Sequence, residues 1–312
     1  MKSVILTALG CCVLTASSSA APKASLSTAG AASVWNVRDH IPLKDFIIQS
    51  HRGAGELAEE NTLDAFELGW RLGTYPESDL RTTKDGVIVA FHDASFKRVV
   101  KGISPEMANK GVKDITFAEL SRMDVGAWKG EQFKGRHVSR MEEIFARMTG
   151  HPDRHLYLDI KNVDFPQLAG LVKQYHVERQ IILATPKHSV IQLWKKLVPE
   201  SDTLLWVSGT EAQQRKHMAA VRAADFKGIT QLQMHVHYSE DGKSFTPDPA
   251  WLTQLSRELA ARHILFQTLP YGGTRAENYW ELLDLGLASF ATDHPDVTLK
   301  AVRDYYARKG LD

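Results

Sequence analysis

FIIQSHRGAGELAEENTLDAFELGWRLGTYPESDLR, residues 46–81, holds one complete strand–helix–strand unit. The apolar run FIIQS stops at a His-Arg-Gly turn. NTLDAFELGWRLG then repeats apolar residues at the three-and-four spacing of a helix that buries one face. PESDLR follows as a second short strand. Asn61 or Thr62 is a natural cap for the helix, because a short polar side chain takes up free N–H groups of the first turn. Two strands joined through a helix run parallel, since the crossover returns the chain to the same end of the sheet.

The alternation continues to the C-terminus. HLYLDIK leads into FPQLAGLVKQYH, QIILAT into SVIQLWKKLV, and TLLWVS into EAQQRKHMAAVRAA. GITQLQMHV precedes PAWLTQLSRELAARH, ILFQTLP precedes NYWELLDLG, and ASFAT precedes DVTLKAVRDYYARK. FIIQS, PESDL, HLYLD, QIILA, TLLWV, GITQLQ, ILFQT and ASFA make eight strands. VIVAF is an extra strand, paired after the second through the turn signal KDG. Eight strand–helix units in about 265 residues predict an α/β chain closed into a (β/α)8 TIM barrel. An open doubly wound sheet is the alternative, but no glycine-rich dinucleotide loop accompanies it. Residues 94–140 fall outside the alternation. They read as a small insertion after the second strand unit, over the face where VIVAFHD ends.

Bulk properties agree with one barrel. The 312 residues are 43% hydrophobic, and 38 Lys plus Arg against 37 Asp plus Glu leave a formal charge of +1. Without a basic excess, no nucleic-acid partner is expected. Lys2, the apolar VILTALGCCVL and the small residues SSSAAP predict a signal peptide over residues 1–20. Its apolar run is too short to span a bilayer. The only cysteines, Cys11 and Cys12, lie within it. Simple cleavage is favoured over lipid anchoring, because Ala8 rather than the usual Leu stands three places before Cys11. Residues 21–43, rich in Ala, Ser, Thr and Gly, read as a linker, and residues 44–312 as the barrel. An exported protein with no stable membrane insertion is expected.

In such a barrel the site lies at the C-terminal ends of the strands. There the sequence sets His51 and Arg52 after the first strand, Glu77 and Asp79 at the second, and His92 and Asp93 after VIVAF. Asp159 and Lys161 end LYLDIK. Residues two apart on a strand share a face. Glu77 with Asp79, and Asp159 with Lys161, therefore face together. If that face is the barrel interior, three carboxylates converge. At a spacing of about 5 Å and an effective dielectric of 20, each pair repels by roughly 3 kcal/mol. A cation relieves that repulsion, and all-oxygen ligands select Mg²⁺ or Ca²⁺ over zinc. Taken singly, an acid at a strand end is a solvated loop or cap residue. The coincidence of two histidines, three acids, an Arg and a Lys carries the reading. His235 and His237 also share a strand face, but HYSEDGK after them reads as a solvated loop.

These pieces, in this order, resemble the glycerophosphodiester phosphodiesterase family. They stand as HRG at 51–53, EENT at 59–62, ESD at 77–79, TKDG at 83–86, HD at 92–93, DIK at 159–161 and TDHPD at 292–296. The resemblance implies a divalent metal bound by Glu77, Asp79 and Asp159, with His51 and His92 as the acid/base pair. It implies Arg52 as the phosphate clamp, and Lys161 near the metal carboxylates and phosphate. Glu60 would lie next to the metal, and Asn61 would brace the loop. The implied reaction is hydrolysis of glycerophosphodiesters to glycerol 3-phosphate and an alcohol. The chain departs from the family pattern at Glu59, where Pro is usual, which predicts a looser entry loop. It departs again at Asp159, where Glu is commoner, and at ILFQTLPYGG, where Gln267 is expected to point toward the pocket. A sphingomyelinase D-like phospholipase acting on intact lipids is the alternative enzyme, and a silent phosphate-binding barrel the alternative without catalysis.

Overall fold

The computed structural model describes residues 35–308. The signal-peptide reading and most of the linker lie outside them. The early strands are β1 (Ile48–Ser50), β2 (Tyr75–Thr82), β3 (Ile88–Ala90), β4 (Leu156–Asn162) and β5 (Ile181–Thr185). The later ones are β6 (Asp202–Val207), β7 (Gln231–Tyr238), β8 (Phe245–Thr246), β9 (Leu265–Tyr271) and β10 (Ser289–Thr292). Parallel pairing runs β1-β10-β9-β7-β6-β5-β4-β2, and β1 with β2 closes the ring. This is the expected eight-stranded parallel barrel, with β3 antiparallel on β2 and β8 antiparallel on β7.

Each barrel strand is followed by a helix that covers it. Helix α1 (Leu63–Leu72) shows how the sequence builds one such unit. Thr62 is the cap, its hydroxyl accepting the Ala65 N–H, and Gly73 ends the helix in the left-handed region at φ 79°. Ala65, Phe66 and Gly69 turn inward. Loss of a fully buried ring such as Phe66 costs about 3–5 kcal/mol. Gly69 has to be glycine: a Cβ there would lie 2.5 Å from the Gly53 carbonyl and 2.8 Å from the Pro76 ring. Helix α1 is thereby drawn against the turn that carries His51 and Arg52.

Residues 94–140 contain the short helices α2 (Pro105–Asn109) and α3 (Phe117–Leu120). They have an apolar cluster of their own, in which Phe96, Val99, Val112, Ile115 and Leu120 pack on Val89 and Phe91. The insertion is thus a packed satellite over β3, and α4 (Met141–Met148) resumes the barrel. Glu59 does not loosen the entry loop. Its carboxylate is buried, bonds the Thr62 hydroxyl at 3.1 Å and pairs with Arg136 of the insertion at 3.0 Å. The end of the stretch read as a linker also packs, with Val37 fully buried and Asn36 donating to the Tyr305 hydroxyl at 2.7 Å.

Two strands extend past their expected ends. β7 reaches Tyr238 and β9 reaches Tyr271, because the two pair continuously from Gln231–Leu265 to His237–Tyr271. That pairing carries His237 and Tyr238, the start of the stretch read as a loop, into the strand, and it moves the rim of the pocket two to four residues beyond Gln267.

Candidate active site

At the C-terminal ends of the barrel strands lies a cavity of about 180 Å³, lined by His51, Arg52, Glu77, His92, Asp159 and Lys161 together with Trp206, His235 and Tyr271. Asp79 sits directly beneath, fully buried in register with Asp159.

The turn after β1 is held in an unusual shape. Arg52 at φ 53° and Asn61 at φ 57° both occupy the left-handed region, which non-glycine residues enter only when their surroundings compel it. The Arg52 N–H donates to Glu77 Oε2 at 2.7 Å, and the Asn61 N–H donates to the Arg52 carbonyl at 2.9 Å. The Asn61 side chain then bonds Asp79 twice, donating to Oδ2 at 2.8 Å and accepting the Asp79 N–H at 2.9 Å. Asn61 therefore braces the loop on an acid of β2, which leaves the helix cap to Thr62.

Glu77, Asp79 and Asp159 each offer an oxygen within 4.8 Å of the others. Burial first, then the neighbouring Asp79 charge, push the Glu77 carboxyl up to about 8. Burial also raises Asp159, against the pull of Lys161. Burial works against Asp79 too, yet Lys161, His92 and Arg52 hold it below the usual carboxylate range. Lys161 Nζ donates to Asp159 Oδ2 at 2.7 Å and lies 3.1 Å from Asp79 Oδ1. This ammonium and the Arg52 guanidinium, whose Nε lies 3.7 Å from Asp79 Oδ2, are two positive charges against three acids. Asp159 Oδ1 is buried with no hydrogen-bond partner, and the only partner of Asp79 Oδ1 is the Lys161 ammonium. An unpartnered oxygen in an all-carboxylate cluster that must otherwise take up a proton fits a hard divalent cation.

Each histidine has one ring nitrogen tied to an acid. His51 Nδ1 lies 2.6 Å from Asp293 Oδ1, and His92 Nδ1 lies 2.7 Å from Asp93 Oδ1. Burial opposes the His51 cation, but the Asp293 hydrogen bond and the Glu77 and Asp293 charges raise it to about 9. Such a carboxylate fixes the ring's tautomer and leaves Nε2 for proton transfer. Arg52 reaches Glu60 Oε2 at 3.1 Å, with its Nε buried and unbonded. Glu60 lies outside the triad. It groups instead with His92 and Asp93, and the Arg98 guanidinium occupies that group, so a metal has no room there.

The opposite wall is aromatic. The His235 ring stacks on Trp206 at 5.6 Å and meets Tyr271 edge-on at 5.2 Å. Gln267, expected in the pocket, is fully buried below it and bonds Gln233 and Ser289. Leu269 and Tyr271 line the rim in its place. Asp293, Arg98, Trp206 and Tyr271 are side chains that sequence reasoning did not bring to the site, and Asp93 is one it placed there without a role. Asp93 and Asp293 stood inside quoted motifs, and their position beside a histidine or at a strand end was the only signal.

The profile of the Glycerophosphoryl diester phosphodiesterase family matches residues 51–297. The chain belongs to that family. It is 31% identical over 160 residues to a glycerophosphodiester phosphodiesterase of Caldanaerobacter subterraneus subsp. tengcongensis, a match covering 49% of this chain and 63% of that relative. It is 25% identical over 275 residues to a glycerophosphodiester phosphodiesterase of Bacillus subtilis, covering 82% of this chain and 86% of the other. A phosphodiesterase of Oleispira antarctica, solved in complex with the product sn-glycerol-3-phosphate, shares the fold. Its TM-score is 0.61 and its identity 19%, over 82% of this chain and 96% of that one.

Proposed function

We propose that the chain hydrolyses glycerophosphodiesters to glycerol 3-phosphate and an alcohol, with a divalent cation, Mg²⁺ or Ca²⁺, held by Glu77, Asp79 and Asp159. The observation that carries this reading is the cavity itself. Two histidines, each tied to a carboxylate, face the same small space as Arg52, Lys161, Glu77 and Asp159, with the third acid, Asp79, buried against them.

A phosphodiester is a monoanion, and attack on phosphorus builds further negative charge on its oxygens. The bound cation would supply Lewis-acid stabilisation of that charge. Arg52, whose fork matches two phosphate oxygens, would hold the phosphate with the N–H groups that its contact with Glu60 leaves free. Lys161 adds a second positive charge above the triad. His51 and His92 divide the proton transfers, one accepting from the nucleophile and the other donating to the leaving alkoxide. The charge and apolar pattern of the N-terminus supports an exported location, and a protein recovered only in the cytoplasmic fraction with residues 1–20 intact would contradict it. Among the described residues, no helix is long and apolar enough to cross a membrane.

The test is release of glycerol 3-phosphate from glycerophosphocholine and glycerophosphoethanolamine by the purified chain, with and without EDTA. The expected result is turnover that EDTA stops and Mg²⁺ or Ca²⁺ restores. Full activity in excess EDTA would remove the metal. No release with metal present would move the reading to lipid cleavage, and a second failure on intact lipid would leave a silent barrel.

A further inference from the structure

Arg98 belongs to the insertion rather than the barrel, yet its guanidinium lies beside the site. Nε and Nη2 donate to the two oxygens of Asp93, at 2.8 and 3.0 Å. Nη1 and Nη2 donate to the two oxygens of Glu60, at 2.8 and 2.5 Å. The Trp128 ring covers the group, 5.2 Å from its central carbon. The same Asp93 Oδ1 meets His92 Nδ1, and the same Glu60 Oε2 takes Arg52 Nη1. An unbroken run of charge-assisted bonds therefore joins the phosphate clamp to the second histidine, in the order Arg52, Glu60, Arg98, Asp93, His92.

We propose that Arg98 is a positioning residue of the reaction: it fixes the Asp93 carboxylate that orients the His92 ring and the Glu60 carboxylate that restrains Arg52. The proposal rests on the reading of His92 as an acid/base group. Its physical basis is direction. A carboxylate with one partner rotates freely, whereas two parallel N–H bonds from a rigid fork hold it in one plane. His92 inherits that plane through its Nδ1, so its Nε2 keeps a single line of approach. Carboxylates behind an imidazole act in this way at metal sites, where their loss costs about 10–100-fold. The other charged groups near His92 do not replace Arg98. Asp79 acts on the ring from the barrel floor, and Arg81 is committed to the His92 carbonyl at 2.7 and 3.1 Å. Lys129, whose ammonium lies 5.7 Å from the Trp128 ring centre, pairs with Glu56 at 3.0 Å. The insertion thus contributes a working part to the barrel site.

The competing account is that Arg98 only pins the insertion to the barrel. Arg98→Ala and Arg98→Lys separate the two. The readouts are kcat and KM, rescue by added guanidinium, and the ¹⁵N spectrum of histidine-labelled protein, which reports the tautomer of the His92 ring without requiring turnover. We expect Arg98→Ala to lower kcat about 10–100-fold with KM within roughly threefold. Guanidinium should recover part of that loss. The His92 ring should lose its fixed Nδ1–H tautomer, and Arg98→Lys should fall between. An Arg98→Ala variant with wild-type kcat and an unchanged tautomer would overturn the proposal. So would a loss of rate that guanidinium leaves untouched and that tracks a fall in Tm. Should Arg98→Ala fail to fold, Arg98→Lys carries the same comparison. If the wild-type chain turns over no diester, the function proposed above fails, and the tautomer still decides whether Arg98 orients His92.

Discussion

The two sides of the pocket are built from the same barrel geometry and hold opposite chemistry. Around β1, β2, β3 and β4 stand His51, Arg52, Glu77, Asp79, His92, Asp159 and Lys161. Burial acts first on His51, Glu77, Asp79, Asp159 and Lys161, and charged neighbours then add to it or oppose it. Around β6, β7 and β9 stand Trp206, His235, Leu269 and Tyr271. The one titratable histidine facing the cavity there, His235, is driven down to about 4 by burial and by the charges His237 and His51 would carry, so it is neutral when the enzyme works. Strained backbone separates the arcs as well, since Arg52 and Asn61 with positive φ belong to the charged side. The difference teaches that strand position fixes only where a side chain stands. In the function proposed above, residue type gives the reaction to one arc and leaves the other to shape the space.

The largest effects should come from the charged arc. His51→Ala or His92→Ala should lower kcat by about 10²–10⁴, the usual worth of a positioned general acid or base. Far-UV circular dichroism and Tm should stay close to those of the parent, because neither ring is part of the core. A variant keeping near-parental rate would take that histidine out of the reaction and blur the contrast between the arcs.

A smaller effect, read without turnover, concerns the triad. With its pKa near 8, Glu77 carries a proton over most of the range below pH 8, and a metal ligand must be ionised. Metal binding at pH 6–7 should therefore release close to one proton from Glu77, and much less at pH 9. Affinity should rise with pH and level off once Glu77 is already charged. Calorimetry of Mg²⁺ or Ca²⁺ binding in buffers of different ionisation enthalpy measures the release, and Glu77→Gln should abolish it. An affinity flat between pH 6 and 8 would show that the triad does not share its charge with a proton.

The charged arc was legible in the sequence because its residues are out of character. An apolar strand that ends in Glu-x-Asp or Asp-x-Lys announces a functional end, and the i, i+2 rule correctly turns both acids to one face. The partners of the histidines were less legible. His51 and Asp293 are 242 positions apart and meet only because β1 pairs with β10 when the barrel closes. Arg98 sits in FKRVVKG, inside the insertion that falls outside the strand–helix alternation, where nothing sets it apart from the neighbouring lysines. The aromatic arc was hardest to see. Trp206 is an apolar residue on an apolar strand and reads as core. Tyr271 and His235 reach the rim only because β7 and β9 pair for seven residues, further than either run suggests alone. Sequence patterns locate strands well. They do not say where a strand stops, and the rim of a barrel pocket consists of those stopping points.

The smallest effect tests the aromatic arc directly. Trp206 and His235 lie nearly parallel, 9° apart, so each ring holds the other against the pocket wall. An aromatic pair of this kind is worth about 0.5–1.5 kcal/mol, which corresponds to roughly two- to tenfold in affinity. Trp206→Leu and His235→Asn should therefore raise KM by about that factor while leaving kcat within roughly twofold. The pH profile of kcat/KM should keep its shape in His235→Asn, because a histidine titrating near 4 is already neutral throughout the working range. Steady-state kinetics from pH 5 to 9 decides the matter. A hundredfold loss of kcat, or a limb of the profile that vanishes with His235, would place proton transfer on the aromatic side and make the two arcs partners in the chemistry.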